Sequence, residues 1–129
     1  MDAYLSREAF RSLRILSLIS SVSNPDGLLI GHKRGHRFFV EKIFSSRPGF
    51  FPSLKACFRL EQIFEGSLLG FFSFKPDQKK IKKLLAPLAQ GKLFLEIRSG
   101  RKKRLTMKSF VIDYEKKFFL APVRLKFSK

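Results

Sequence analysis

Three side chains of this sequence are natural metal ligands or nucleophiles: His32, His36 and Cys57 are its two imidazoles and its one thiol. A catalytic zinc takes three nitrogen, sulfur or oxygen ligands and keeps one position open for water. The stretch Gly31-His32-Lys33-Arg34-Gly35-His36 reads as a turn between two strands, and histidines four apart meet only on a helix. They are therefore read as solvated turn histidines and Cys57 as a buried structural cysteine, with no metal and no cofactor. A Cys/His nucleophilic pair fares no better, because nothing in the sequence brings a base or a cation to Cys57 to favour its thiolate.

The other chemistry in the chain is cationic. The 129 residues hold 27 Lys and Arg against 10 Asp and Glu, a net charge of +17. Residues 1–74 carry +4 of this and residues 75–129 carry +13. Lys79, Lys80, Lys82 and Lys83 cluster in one segment and Arg101, Lys102, Lys103 and Arg104 form an unbroken run, with Lys108, Arg124 and Lys126 beyond. Such clustering is the footprint of a protein that meets phosphate or another polyanion, although a basic run alone is often just a solvated face. Neither a phosphate-binding loop nor a dinucleotide fingerprint occurs.

Length and composition set the frame for these groups. One domain over 1–129 buries about two-thirds of its unfolded surface without a staple. A single cysteine excludes an internal disulfide and fits a reducing cytoplasm. Sixteen Phe and no Trp point to a core of phenyl rings.

The elements that must position the charges follow from periodicity. Phe10, Leu13, Leu16 and Ile19 fall on one side of a helix, with Ser6 as N-cap and Glu8 in the first turn. This accounts for the region better than a secretory signal, whose outline Arg7, Arg11 and Arg14 before the apolar run 15–22 otherwise share. That run is too short to span a bilayer. Strands are expected over 27–31 and 37–44, joined as a hairpin, and the Pro- and Gly-containing stretch 45–53, with Phe50-Phe51, reads as a loop. A strand over 54–60 and a turn or helical piece over 61–65 come next. The apolar stretch 67–74 reads as a central strand covered on both faces, and 77–89 has helical spacing until Pro87. Leu93, Leu95 and Ile97 alternate with Phe94, Glu96 and Arg98, a return strand covers 105–112, and 119–127 forms a last strand, placed at an edge by Pro122. The expectation is a mixed α/β (α+β) sheet with an N-terminal helix, a second helix after the central strand and a C-terminal β-meander.

Gly70-Phe71-Phe72-Ser73-Phe74-Lys75-Pro76, read with Gly27-Leu28-Leu29-Ile30-Gly31 upstream, resembles the JAB/MPN (JAMM) metalloprotease domain. That family carries a Glu before a G-x-L-x-G strand, then G-W-x-H-x-H-P, then a downstream Ser and Asp. The resemblance implies a JAB/MPN-like (cytidine-deaminase-like) sheet. It places the catalytic Glu on Asn24, the two zinc-binding His on Ser73 and Lys75, and the downstream Ser and Asp on Lys83 and Ala86, so all five functional positions are degenerate. A Lys ammonium at a ligand site repels zinc. What the resemblance implies is a catalytically inactive pseudoenzyme, a cytoplasmic binding or assembly module whose partner is an active relative or a ubiquitin-like tail. Gly70-Phe71-Phe72-Ser73-Phe74 also resembles the end of the first ribonucleoprotein motif of RNA-recognition modules, but those open on a strand where this chain is read as opening on a helix. A nucleic-acid-binding domain that uses the basic face is the alternative function, and a JAMM-type zinc isopeptidase with a relocated site is the third.

Overall fold

A computed structural model describes residues 1–19, 25–45, 59, 62–63, 66–85, 89–99 and 104–127. Among these residues the elements are β1 (Asp2–Leu5), α1 (Arg7–Ile19), β2 (Asp26–Arg34), β3 (Arg37–Ser45), β4 (Leu68–Phe74), α2 (Gln78–Leu84), β5 (Leu93–Ser99), β6 (Leu105–Glu115) and β7 (Lys117–Phe127).

The strands close into a barrel in the order β1-β3-β2-β4-β5-β6-β7. Three hairpins, β2–β3, β5–β6 and β6–β7, are antiparallel, as is the β2–β4 pair. Gly35 takes a positive φ of 57° at the first position of the two-residue β2–β3 turn, where glycine lets the connection follow the twist of the strands. The β4–β5 pair is parallel, so the chain must cross over between them, and α2 lies on that crossover. Closure depends on β1. Its four residues pair parallel to β3 on one side (Asp2↔Arg37 to Leu5↔Val40) and parallel to β7 on the other (Asp2↔Arg124 to Leu5↔Phe127).

Alternation along the strands divides inside from outside. Leu93, Leu95 and Ile97 of β5, with Phe38 and Val40 of β3 and Ala3 and Leu5 of β1, fill the barrel core. Helix α1 adds Ala9 and Leu13 to this core, with Phe10 and Leu16 partly buried beside them, the face that helical spacing predicts. Ser6 caps the helix, its Oγ accepting from the Ala9 amide at 3.0 Å, a bond worth about 1 kcal/mol.

These observations correct several expectations. The fold is a closed mixed barrel and not a JAB/MPN-like, cytidine-deaminase-like α/β sheet. The JAMM-like resemblance falls with it, and the pseudoenzyme reading and the partners drawn from the resemblance lose that support. Strand β4 is indeed buried on both faces, but one face looks into the barrel and the other lies under a local cover, where a layered sheet would have helices on each side. The chain opens on a strand, β1, before its first helix. β7 is not an edge strand: β6 pairs with it over Lys117 to Val123 and β1 from Arg124 onward. Pro122 is accommodated because its missing donor falls before the stretch that β1 pairs. Helix α2 is shorter than expected, and Pro87 lies outside the described residues. So do the loop with Phe50-Phe51, the strand expected over 54–60, and Cys57. No helix among the described residues is long and apolar enough to cross a membrane.

Candidate polyanion interface

The outside of the barrel presents two unlike faces. Over β4, β5 and β6 the outward side chains Phe71, Phe94 and Ile112 are buried in a second apolar cluster with Ala89, and Leu28, Leu85, Phe110 and Leu120 pack against it. Leu85, just past α2, and Ala89 supply the cover, and the Gly91 amide ties the segment down by donating to the Ile112 carbonyl at 2.7 Å.

Over β7, β1, β3 and β2 the outward positions form two polar and aromatic rows. The pairs Asp2↔Arg124, Asp2↔Arg37 and Arg34↔Arg37 set Arg124, Asp2, Arg37 and Arg34 side by side on four strands. The β6–β7 pairing stops at Ser109↔Val123, and Lys108 and Arg124 are the next residues beyond it, so Lys108 extends the row toward β6. At about 4.8 Å between strands this row runs about 19 Å around the barrel. It holds four cations and one carboxylate. Among the described residues Arg34, Arg37, Lys108 and Arg124 make no ion pair, and all four are exposed. At the β6 end of the row Lys108 stands opposite Glu96 of β5, whose Oε1 accepts from Arg98 through Nε at 3.1 Å and Nη2 at 2.7 Å.

The neighbouring row, two residues along each strand, is Lys126, Tyr4, Phe39 and His32. Its members form one column. Lys126 Nζ lies 5.6 Å from the centre of the Tyr4 ring. Tyr4 and Phe39 stack with centroids 5.1 Å apart and planes 10° from parallel, and Phe39 and His32 stack at 4.8 Å and 13°. His32 Nδ1 lies 2.5 Å from Glu41 Oε1. A carboxylate only accepts, so Nδ1 is the donor and the imidazole plane is fixed. His32 is thus a strand residue in an aromatic column, not a solvated turn histidine; only Gly35 and His36 form the turn.

The remaining candidates are scattered. Lys79 and Lys82 are exposed on α2, over the other face, and Arg104 is exposed just before β6. The side chains of Lys80 and Lys83, and all of Arg101, Lys102 and Lys103, lie outside the described residues. Of the cations singled out in the sequence, the two rows bring together Lys108, Arg124 and Lys126. Arg34 and Arg37 join them and were missed, because only closure by β1 carries β3 toward β7.

Of the positions matched to the JAMM site, the side chains of Ser73 and Lys75 are among those described, and their settings differ. Ser73 is fully buried and donates to Asp26 Oδ1 at 2.5 Å, while Lys75 is exposed at a positive φ of 48°. Asn24 and Ala86 lie outside the described residues. Among the described residues no group of three or more His, Cys, Asp or Glu is placed to hold a metal. A cavity of about 260 Å³ lies at the start of α1, lined by Leu5, Ser6, Arg7, Phe10 and Phe127. The Ser6 hydroxyl there is already committed, to the Ala9 amide and to the Glu41 carbonyl at 2.8 Å.

No protein-family model matches the chain, and no curated protein matches it in sequence. The fold does recur: the chain is similar to the solution structure of protein DSY2949 from Desulfitobacterium hafniense, with a TM-score of 0.68 over 98% of this chain and 94% of that one. At 16% identity the likeness shows the barrel architecture alone, and a shared fold does not carry a shared function.

Proposed function

We propose that this barrel is a binding protein for an extended anionic polymer, held along the outer face of β7, β1, β3 and β2. The supporting observation is the register that sets Lys108, Arg124, Arg37 and Arg34 in one exposed row interrupted by a single carboxylate. Unpaired cations spaced across neighbouring strands repel one another unless an anion or salt answers them, and the positive potential they build recruits a polyanion. An isolated solubilising lysine has no such neighbours. The face uses the curved surface of the sheet as a track, and the alignment of the row with the hydrogen-bond direction sets the path of the polymer around the barrel.

The test is a salt series on an abasic deoxyribose-phosphate oligomer, which offers charge and nothing else. Five cations, the four of the row and Lys126, give a log–log slope of affinity against salt near −3.5, at about −0.7 per phosphate contact. The double variant Arg37→Ala/Arg124→Ala flattens that slope by about 1.4. A slope that the double variant leaves unchanged, or an oligomer that does not bind at low salt, removes this face as the site.

A further inference from the structure

We infer that the anionic polymer is a single-stranded nucleic acid, and that one of its unpaired bases stacks on the outer face of His32 and lengthens the aromatic column. This rests on the proposed binding of a polyanion at the same face and adds what charge alone does not explain, the rings. Cations suffice to hold a phosphate chain. A column of three flat rings at their edge does not improve a charge track, but it is the feature that proteins add to one when the ligand has bases to stack.

The column has two ends, and they differ. At one end the Lys126 ammonium covers the Tyr4 face. At the other, pairing between β2 and β4 stops at Ile30↔Leu68, so among the described residues no strand stands beyond His32 in its row. One ring face of His32 is occupied by Phe39. Among the described residues no aromatic ring covers the other, and the side chain is 47% exposed. The Nδ1 contact with Glu41 holds the ring parallel to Phe39 instead of letting it rotate. A fixed, half-exposed ring at the end of a stack is a ready platform for one more ring.

Arg34 stands two residues farther along the same strand and face, about 7 Å away at 3.3 to 3.4 Å per residue. A base on His32 therefore has a cation beside it for the phosphate of the same or the next nucleotide. Duplex DNA keeps its base faces stacked inside the helix and has none to offer. The ligand chemistry common to single-stranded DNA and RNA is what the column reads, and paired arms with deoxy and ribo oligomers of one sequence separate the two sources.

The experiment compares an oligonucleotide carrying 2-aminopurine, a fluorescent purine quenched when it stacks, with the abasic oligomer of equal charge. Wild-type protein quenches the probe and binds the base-bearing strand roughly 5- to 150-fold more tightly than the abasic one, the range expected of one stacked base. His32→Ala abolishes both the quenching and the difference while leaving abasic binding unchanged, and His32→Phe, which keeps a flat ring, restores both. Equal binding of base-bearing and abasic strands overturns the inference and leaves polyanion binding standing. A His32→Ala variant that weakens both strands alike also overturns it. If neither strand binds, both readings fall.

Discussion

The two outer faces of this barrel are made from the same sheet with the same alternation, yet one is a core and the other is not. Over β4, β5 and β6 the outward residues Phe71, Phe94 and Ile112 are large and apolar, and the crossover that a parallel β4–β5 pair demands brings chain to cover them. Over β7, β1, β3 and β2 the described connections are the β2–β3 and β6–β7 hairpins and α1, whose buried face packs into the barrel core. Among the described residues no crossover lands there, and the two rows of outward positions are Arg, Lys, Asp, Tyr, Phe and His. Outward apolar residues thus follow the cover, and aromatic rings on an uncovered strand face are left to stack on one another.

The sharpest way to break this comparison is to remove one phenyl ring from each face. Phe94 is 1% exposed in the covered cluster, and Phe94→Ala lowers stability by about 3–5 kcal/mol, because it deletes a buried ring and leaves a cavity. Phe39→Ala on the bare face costs about 1 kcal/mol or less, the scale of a cross-strand pair. Urea denaturation of both variants measures the difference. Comparable losses would mean that the column is structural and the bare face a second core. Next in size is the cation pair: Arg37→Ala/Arg124→Ala shifts the denaturation midpoint little, within about 0.5 kcal/mol, while it weakens polyanion binding. A stability loss matching the binding loss would show the row to be part of the fold.

Much of the local structure was legible in the sequence, and the closure was not. Leu93, Leu95 and Ile97 alternate cleanly, and β5, β6 and β7 form the expected meander. The Ser6 cap and the spacing of Phe10, Leu13 and Leu16 give α1. What failed was the step from elements to topology. Asp2-Ala3-Tyr4-Leu5 is too short to show a period, and its pairing with residues 37 and 124 spans most of the chain, where no local pattern reports. The glycines that matched the metalloprotease strand are demanded here by a different geometry. A Cβ on Gly70 would collide with the Leu93 carbonyl, and one on Gly27 with the Phe44 carbonyl and the Phe72 ring. Tight strand packing selects glycine in any sheet, so the pattern carried less information about fold than its length implied. The charge census located the excess by sequence half, whereas the row joins Arg34 and Arg37 from one half to Lys108 and Arg124 from the other.

The smallest effect probes the carboxylate that interrupts the cation row. Asp2 sits between Arg37 and Arg124 and lies 3.6 Å from Lys126 through Oδ2. A phosphate seated on either arginine meets its carboxylate at about 6 Å, where like charges cost about 0.7 kcal/mol in a water-like dielectric. Asp2→Asn therefore tightens binding of the abasic oligomer about threefold at low salt, and the gain shrinks as salt rises and screens the pair. Stability changes by less than about 1 kcal/mol, the upper range for an exposed ion pair. The sign of the binding change is the discriminating feature. Substituting a carboxylate remote from the polymer gives a weak, salt-screened gain at best, and one that helps position Arg37 or Arg124 gives a loss. A gain of the size that proximity dictates places the phosphates over the row between β7 and β3.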